Sequence, residues 1–174
     1  MLLLQLEVPL ATVQAAAAAT RGTVVLNPAP PQPLPAELLA RVDVLVPNEH
    51  ELVRLTGAEP AERTPAELAD LARGLGPSVV VTLGARGALV VTGGSASLQA
   101  PPPVTAVDTT GAGDSFCGAL SSALDRGRPL AEAVRYAVTA AALSTTGPGA
   151  RGALPDDDEV RRRRRGEQPA TEVG

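Results

Sequence analysis

Residues 108–118 read Asp-Thr-Thr-Gly-Ala-Gly-Asp-Ser-Phe-Cys-Gly. The small residues Gly111, Ala112 and Gly113 let a backbone turn sharply and come close to a ligand. The apolar stretch that follows, Phe116 to Leu124, predicts a helix. A glycine-rich turn feeding a helix presents unpaired N–H groups and the positive end of the helix dipole, and both suit a phosphate. An acid at Asp114, inside that nest, is placed to take a proton from a hydroxyl as a phosphoryl group arrives. Asp108, expected at a strand end, is an oxygen ligand for a cation. The same residues also describe an ordinary helix start, with Asp114 as a capping carboxylate. Two acids bracketing Thr-Thr-Gly-Ala-Gly favour the phosphate reading, provided that a strand–turn–helix context holds them.

The elements that must position this turn follow from apolar runs and breakers. Leu2–Leu6, Thr23–Leu26, Val42–Val46, Ser78–Thr82 and Ala88–Thr92 predict strands, with a weak one near Ser97–Gln99. Helices are expected from Pro9 through Ala19, over Pro35–Ala40, and from Asn48 to Thr56 with Gly57 as cap. Thr64-Pro65-Ala66-Glu67 opens another as a capping box with proline at its first position. Further helices are expected over Pro129–Leu143 and Asp156–Arg164, and residues 166–174 read as disordered. Strands alternating with helices predict a doubly wound, mostly parallel α/β sheet. Such sheets bind ligands beyond the carboxyl ends of their strands. Asn48, Gly84 and Gly111 each follow a predicted strand, so three loops are expected along one edge.

The chain of 174 residues suits one domain or two small ones. Its apolar share of 44% supports a core, and with 1% aromatics that core must be Val, Leu and Ala. All of its basic residues are Arg, which excludes a P-loop lysine, and a net charge of −4 argues against a nucleic-acid partner. The run Arg161–Arg165 reads as a solvated helix end. The single cysteine, Cys117, fits a reducing, cytoplasmic setting. No apolar stretch is long enough for a membrane span.

With these pieces in order, the chain resembles the C-terminal portion of the PfkB-type carbohydrate kinases, and within them the ribokinases. The resemblance rests on Asp108–Asp114, Gln5-Leu6-Glu7-Val8-Pro9-Leu10, Leu26-Asn27-Pro28-Ala29-Pro30, Val46-Pro47-Asn48-Glu49-His50-Glu51 and Thr82-Leu83-Gly84-Ala85-Arg86-Gly87. It covers residues 2–155, and residues 156–174 are a terminal helix and tail. It implies transfer of the ATP γ-phosphate to a sugar hydroxyl, O5 of D-ribose in ribokinases. Asp114 then matches the catalytic base, and the N–H groups of Gly111, Ala112 and Gly113 match an anion hole. Asn48 and Thr82, Leu83, Gly84, Ala85, Arg86 and Gly87 match nucleotide contacts. Glu51, on the same helical face as Asn48, matches a glutamate that organises Mg²⁺, and Glu7 matches a contact to sugar hydroxyls. The resemblance also implies a K⁺ site. Its ligands match Asp108, the Thr110 carbonyl, carbonyls near Ser144, Gly147 and Gly149, and Ala153, where the family often has Ser. Val138 falls near a possible adenine contact but reads better as core. Apart from these, Asn48 reads equally as a plain N-cap, Glu51 and Glu7 as solvated charges, and Gly84–Gly87 as a simple turn.

The resemblance also implies an N-terminal half with a Gly-Gly-Lys-Gly-type sugar motif and a small sheet serving as lid and dimer interface. Nothing in this sequence matches either. The expectation is therefore a truncated kinase portion, from a trimmed or mis-started gene, with little activity alone. The intact form is expected to be a homodimer. A kinase for another sugar or nucleoside, or a nucleotide-binding module without catalysis, are the alternatives.

Overall fold

The computed structural model describes residues 1–164 and 170–173; Arg165 and residues 166–169 and 174 of the expected tail lie outside the described residues. In chain order the elements are β1 (Leu2–Leu4), α1 (Leu10–Ala19), β2 (Val24–Leu26), α2 (Ala36–Leu39), β3 (Val44–Leu45), α3 (Glu49–Thr56), α4 (Pro65–Arg73) and β4 (Ser78–Thr82). A 3₁₀ turn at Gly84–Arg86 leads to β5 (Ala88–Thr92), β6 (Ser95–Gln99), α5 (Ala112–Asp125), α6 (Leu130–Ser144), α7 (Asp157–Arg164) and β7 (Thr171–Glu172).

The chain folds as two compact units. The first holds Met1–Leu83, Leu89–Leu98 and the chain end from Glu172; the second holds Gly84–Ala88 and Gln99–Thr171. The sheet runs in sequence order from β1 to β7. β1, β2, β3 and β4 pair in parallel, with Leu4, Leu26, Leu45 and Val79 in one cross-strand row. Leu26, Leu45, Val79 and Val81 join the main apolar cluster. Val25, Val44, Val46 and Val80 alternate to the other side and are buried too. Burial on both faces is the reason these strands read as continuous apolar runs. The expected Val, Leu and Ala core is what the structure shows.

Local chemistry explains the helix ends. Thr64 accepts from the Glu67 N–H at 3.3 Å, and the Thr64 N–H donates to Glu67 at 2.8 Å, completing the expected capping box around Pro65. Gly57 ends α3 with φ +68°, a left-handed position that glycine takes without a Cβ clash. Arg41 donates to the carbonyls of Ala17 and Thr20 at 3.3 and 2.9 Å, capping the end of α1. In the second unit α5 packs along α6, and α7 packs on α6 with Val160 buried. Tyr136 of α6 donates to Asp157 of α7 at 2.9 Å, and the Arg128 guanidinium lies 4.7 Å from the Tyr136 ring centre. Arg161 pairs with Asp157 at 2.8 Å, so this part of the arginine run is tied to its own helix.

Four expectations need correction. β1 stops at Leu4, because Leu6 donates instead to the Ala29 carbonyl at 2.9 Å. β6 is a full five-residue strand from Ser95, following a turn in which Gly93 and Gly94 both have positive φ, the hairpin signature. Residues 171–172 form β7 rather than a disordered tail, and next to it Val173 donates to the Ala96 carbonyl at 2.9 Å. Asp108 is not at a strand end, and Gly111 does not follow one, since no strand is assigned between Gln99 and α5. Three consecutive prolines at 101–103 remove ladder donors there, and the N–H groups of Val107 and Asp108 go to the Thr145 carbonyl instead.

Candidate functional site

In the first unit, the carboxyl ends of the parallel strands bring several of the sequence-derived residues together. Asn48 and Thr82 form a parallel bridge just beyond β3 and β4, and the Thr82 N–H donates to the Pro47 carbonyl at 2.9 Å. Asn27, at the end of β2, donates its amide to the Val46 carbonyl at 2.8 Å. Glu7 lies past β1, exposed, and its backbone N–H and carboxylate are both engaged by the Gln5 side chain.

Asn48 and Glu51 form a reciprocal cap at the start of α3. The Asn48 oxygen accepts from the Glu51 N–H, the Asn48 amide donates to Glu51 Oε1, and the Asn48 N–H donates to Glu51 Oε2, each at 2.8 Å. Glu51 is thus no solvated charge: it is 7% exposed. Burial pushes its carboxyl above the ordinary 4.5, against the opposing pull of the Asn48 N–H and the nearby His50. Thr82 is half-buried and Leu83 buried. In the second unit, Gly84, Ala85 and Arg86 are exposed, and Gly87 is buried with φ +90°. A Cβ on Gly87 would lie 2.0 Å from the Gln99 carbonyl oxygen, so this turn closes only on glycine.

The second unit also carries the opening motif. Gly111 is the N-cap of α5 with φ +75°, so the glycine turn is itself the helix start. Ala112, Gly113 and Asp114 form the first turn, where helix geometry supplies no intrahelical acceptor for their N–H groups. Ala112 donates to the Thr109 carbonyl at 3.2 Å, which leaves Gly113 and Asp114 as the amides aimed past the helix end. Gly113 and the Asp114 side are exposed. Asp108 folds back over the turn, accepting from the Thr110 N–H at 2.9 Å and from the Gly149 N–H at 2.8 Å. Hydrogen bonds from Thr110 first, and then from Gly149, hold the Asp108 carboxyl below its ordinary 3.8.

Gly149 belongs to the loop after α6, and that loop is the turn's partner. The Thr145 carbonyl accepts from Val107 at 2.7 Å and Asp108 at 3.1 Å. A Cβ on Gly111 would meet the Ala150 methyl at 2.8 Å. Asp108, Thr110, Ser144, Gly147, Gly149 and Ala153 therefore belong to two segments bonded to each other. Ser144 is buried, its hydroxyl bonded to the Ala141 carbonyl at 2.8 Å. Val138 is buried, as core. Sequence reasoning missed Thr145 and Ala150; the only signal was the Gly-Pro-Gly-Ala stretch at 147–150. A concavity of about 610 Å³ is lined by Thr146, Gly152, Ala153, Leu154 and Arg163 among others, and by neither Asp108 nor Asp114.

The sequence pattern of the pfkB family carbohydrate kinases matches residues 3–157. The chain belongs to this family. Like the pfkB pattern itself, the similarities to individual proteins run through most of the chain. It is 41% identical to the ribokinase of Haemophilus influenzae over 164 residues, 91% of this chain and 54% of that protein. It is similar to the crystal structure of Thermotoga maritima ribokinase, with a TM-score of 0.82 and 36% identity, over 94% of this chain and 56% of that one. The structure of Arabidopsis thaliana ribokinase complexed with ribose and ATP matches with the same score and identity, over 92% of this chain and 54% of that one. The chain thus spans about half the length of the curated pfkB relatives it matches. Among the described residues, no helix is long and apolar enough to cross a membrane.

Proposed function

We propose that this chain carries the nucleotide-handling and proton-abstracting portion of a sugar kinase that transfers the ATP γ-phosphoryl group to a hydroxyl of D-ribose, O5 by the family resemblance. The observation that carries the reading is the Gly111 left-handed turn, which sets exposed Asp114 one residue from the outward amide of Gly113. A sugar alcohol is a weak nucleophile, and a positioned carboxylate removes its proton as the bond to phosphorus forms. Asp114 takes that role. In this reading the amides of Gly111 and Gly113 stabilise the charge that develops on the transferring group, and Ala112 joins them once its N–H leaves the Thr109 carbonyl. The ribose and ATP bound to the Arabidopsis relative support the choice of substrates.

Asn48 and the Thr82–Gly87 segment contact the nucleotide in this reading, and Glu7 contacts the sugar. Among the described residues no group of three His, Cys, Asp or Glu side chains is placed to hold a metal. Magnesium typically keeps its waters and substrate phosphates and takes only one or two carboxylates. Glu51 fits that demand, because Asn48 occupies one lone pair on each of its oxygens and leaves the others. Mg²⁺ so held would neutralise phosphate charge. For K⁺, Asp108 and the carbonyls of Thr110, Ser144, Gly147 and Gly149 offer oxygen alone, the donor type an alkali cation takes. Ala153 adds no side-chain oxygen, so its carbonyl is its sole contribution. The catalytic portion covers residues 1–155 in this reading, with the terminal helix Asp157–Arg164 after it. A cytoplasmic setting accompanies this reading, supported by the single buried Cys117. A homodimer rests on the family resemblance alone.

The test is ribose-dependent ADP release, measured with ATP binding, in the parent and in Asp114→Asn. Loss of the base is expected to lower turnover by about 10²- to 10⁴-fold and to spare ATP affinity. Turnover retained in the variant would remove Asp114 from the role. ATP binding by the parent without any ribose-dependent release would support a nucleotide-binding module instead.

A further inference from the structure

The geometry points to Gly152 as a positioning residue for the Asp108–Asp114 turn, acting through the peptide plane between Pro148 and Gly149. Gly152 needs no left-handed backbone, unlike Gly111 at φ +75° and Gly149 at φ +70°. Its requirement is space. A Cβ there would lie 2.1 Å from the Pro148 carbonyl oxygen, 3.2 Å from its carbon and 3.4 Å from its nitrogen. All three are backbone atoms, and the proline ring fixes φ at 148, so the neighbour yields only by tilting the peptide as a whole.

That peptide has two ends. Its carbonyl faces Gly152, and its N–H, on Gly149, is the donor to Asp108 Oδ2 at 2.8 Å. A planar amide pushed at the oxygen must move at the hydrogen. The next residue along, Ala150, is the one a Cβ on Gly111 would strike at 2.8 Å. One side of the loop is closed by a second tight contact, where a Cβ on Gly147 would fall 2.9 Å from the Ala153 methyl. The loop is therefore wedged from behind by Gly147, Gly152 and Ala153, and its front bears on Asp108 and Gly111. Gly152 acts on those two residues through Gly149 and Ala150. Its importance for catalysis rests on the role proposed for the turn, whereas the chain of contacts stands apart from that role.

The experiment compares the parent, Gly152→Ala and Gly118→Ala by NMR. Gly118 lies in α5, and a Cβ there meets nothing within 4 Å, so that variant controls for a glycine-to-alanine change. Gly152→Ala is expected to speed amide exchange at Thr110 and Gly149 by about tenfold or more, as local opening would. It is also expected to shift the Asp108 and Thr110 amide resonances, since the Gly149 N–H holds the Asp108 carboxylate over that turn. Gly118→Ala is expected to change neither. A disturbance confined to residues 145–153, with the Asp108 and Thr110 amides as in the parent, would overturn the proposal. If Gly152→Ala does not fold, Pro148→Ala tests the same peptide by freeing its backbone without adding atoms, with faster exchange at Thr110 and Gly149 expected and unchanged exchange refuting. Absence of ribose-dependent ADP release in the parent would refute the kinase reading while leaving these spectra to decide the role of Gly152.

Discussion

Replacing Asn48 by Ala removes two interactions at once from the edge of the first unit. The Asn48 oxygen that caps the Glu51 N–H at 2.8 Å is lost. Loss of an N-cap side chain costs about 1 kcal/mol. The amide donor to Glu51 Oε1, also at 2.8 Å, is lost too, leaving a carboxylate oxygen that is mostly hidden from water with one partner fewer. An unsatisfied buried acceptor costs about 1–3 kcal/mol. The backbone bond from the Asn48 N–H to Oε2 survives, so the expected loss is about 2 kcal/mol, toward the lower end of the sum. For a chain of this length that is a fall in melting temperature of roughly 4–8 °C. Thermal and urea unfolding of the parent, Asn48→Ala, Glu51→Ala and the double variant would measure it. The double variant is expected to lose less than the two single losses added, because each single change strands the other partner. Strict additivity, or a single-variant loss below about 0.5 kcal/mol, would show that the two side chains do not act as a coupled cap.

Two further outcomes follow from the second unit. Gly87→Ala is expected to destabilise by about 3 kcal/mol or more, since φ +90° and a 2.0 Å approach to the Gln99 oxygen oppose the methyl together; chemical denaturation measures it, and a loss under about 1 kcal/mol would mean that the turn has another way to close. Asp108 titrates lower in the folded protein than its ordinary 3.8. Its contribution is therefore present above pH 3.8 and is lost as pH falls through the folded value, while Glu51, raised above 4.5, contributes in the opposite sense. Protection of the Thr110 and Gly149 amides, taken against the intrinsic exchange rate at each pH, is thus expected to fall on acidification in the parent and to lose that pH dependence in Asp108→Asn.

Local signals carried much of the fold. Thr64, Pro65 and Glu67 sit within one turn, and their cap reads directly from spacing. The buried strands β2, β3 and β4 read as apolar runs because both faces are covered. What failed was non-local. β7 depends on residues near Ala96, some 75 positions earlier, and a window on residues 166–174 sees mostly Gly, Pro and polar side chains. Asp108 looked like a strand end because the ladder's loss to prolines 101–103 had to be weighed against where its N–H would go, and the answer, Thr145, lies 37 residues away. At the candidate site, the three-residue step from Asn48 to Glu51 was legible, but the burial that makes the pair matter was not. The turn's glycines were visible in sequence; the Ala150 methyl that one of them faces was not.

The division of the chain into two units has a consequence for dissection. The backbone passes from one unit to the other at 83/84, 88/89, 98/99 and 171/172. Neither unit is therefore a contiguous stretch of gene. Cutting at any one boundary yields no fragment that is one unit and nothing of the other, and residues 84–88 reach the second unit only as a short excursion between two strands of the first. Independent expression of either unit would require rejoining segments by redesign, and a deletion in the Gly84–Ala88 excursion would reach both units at once.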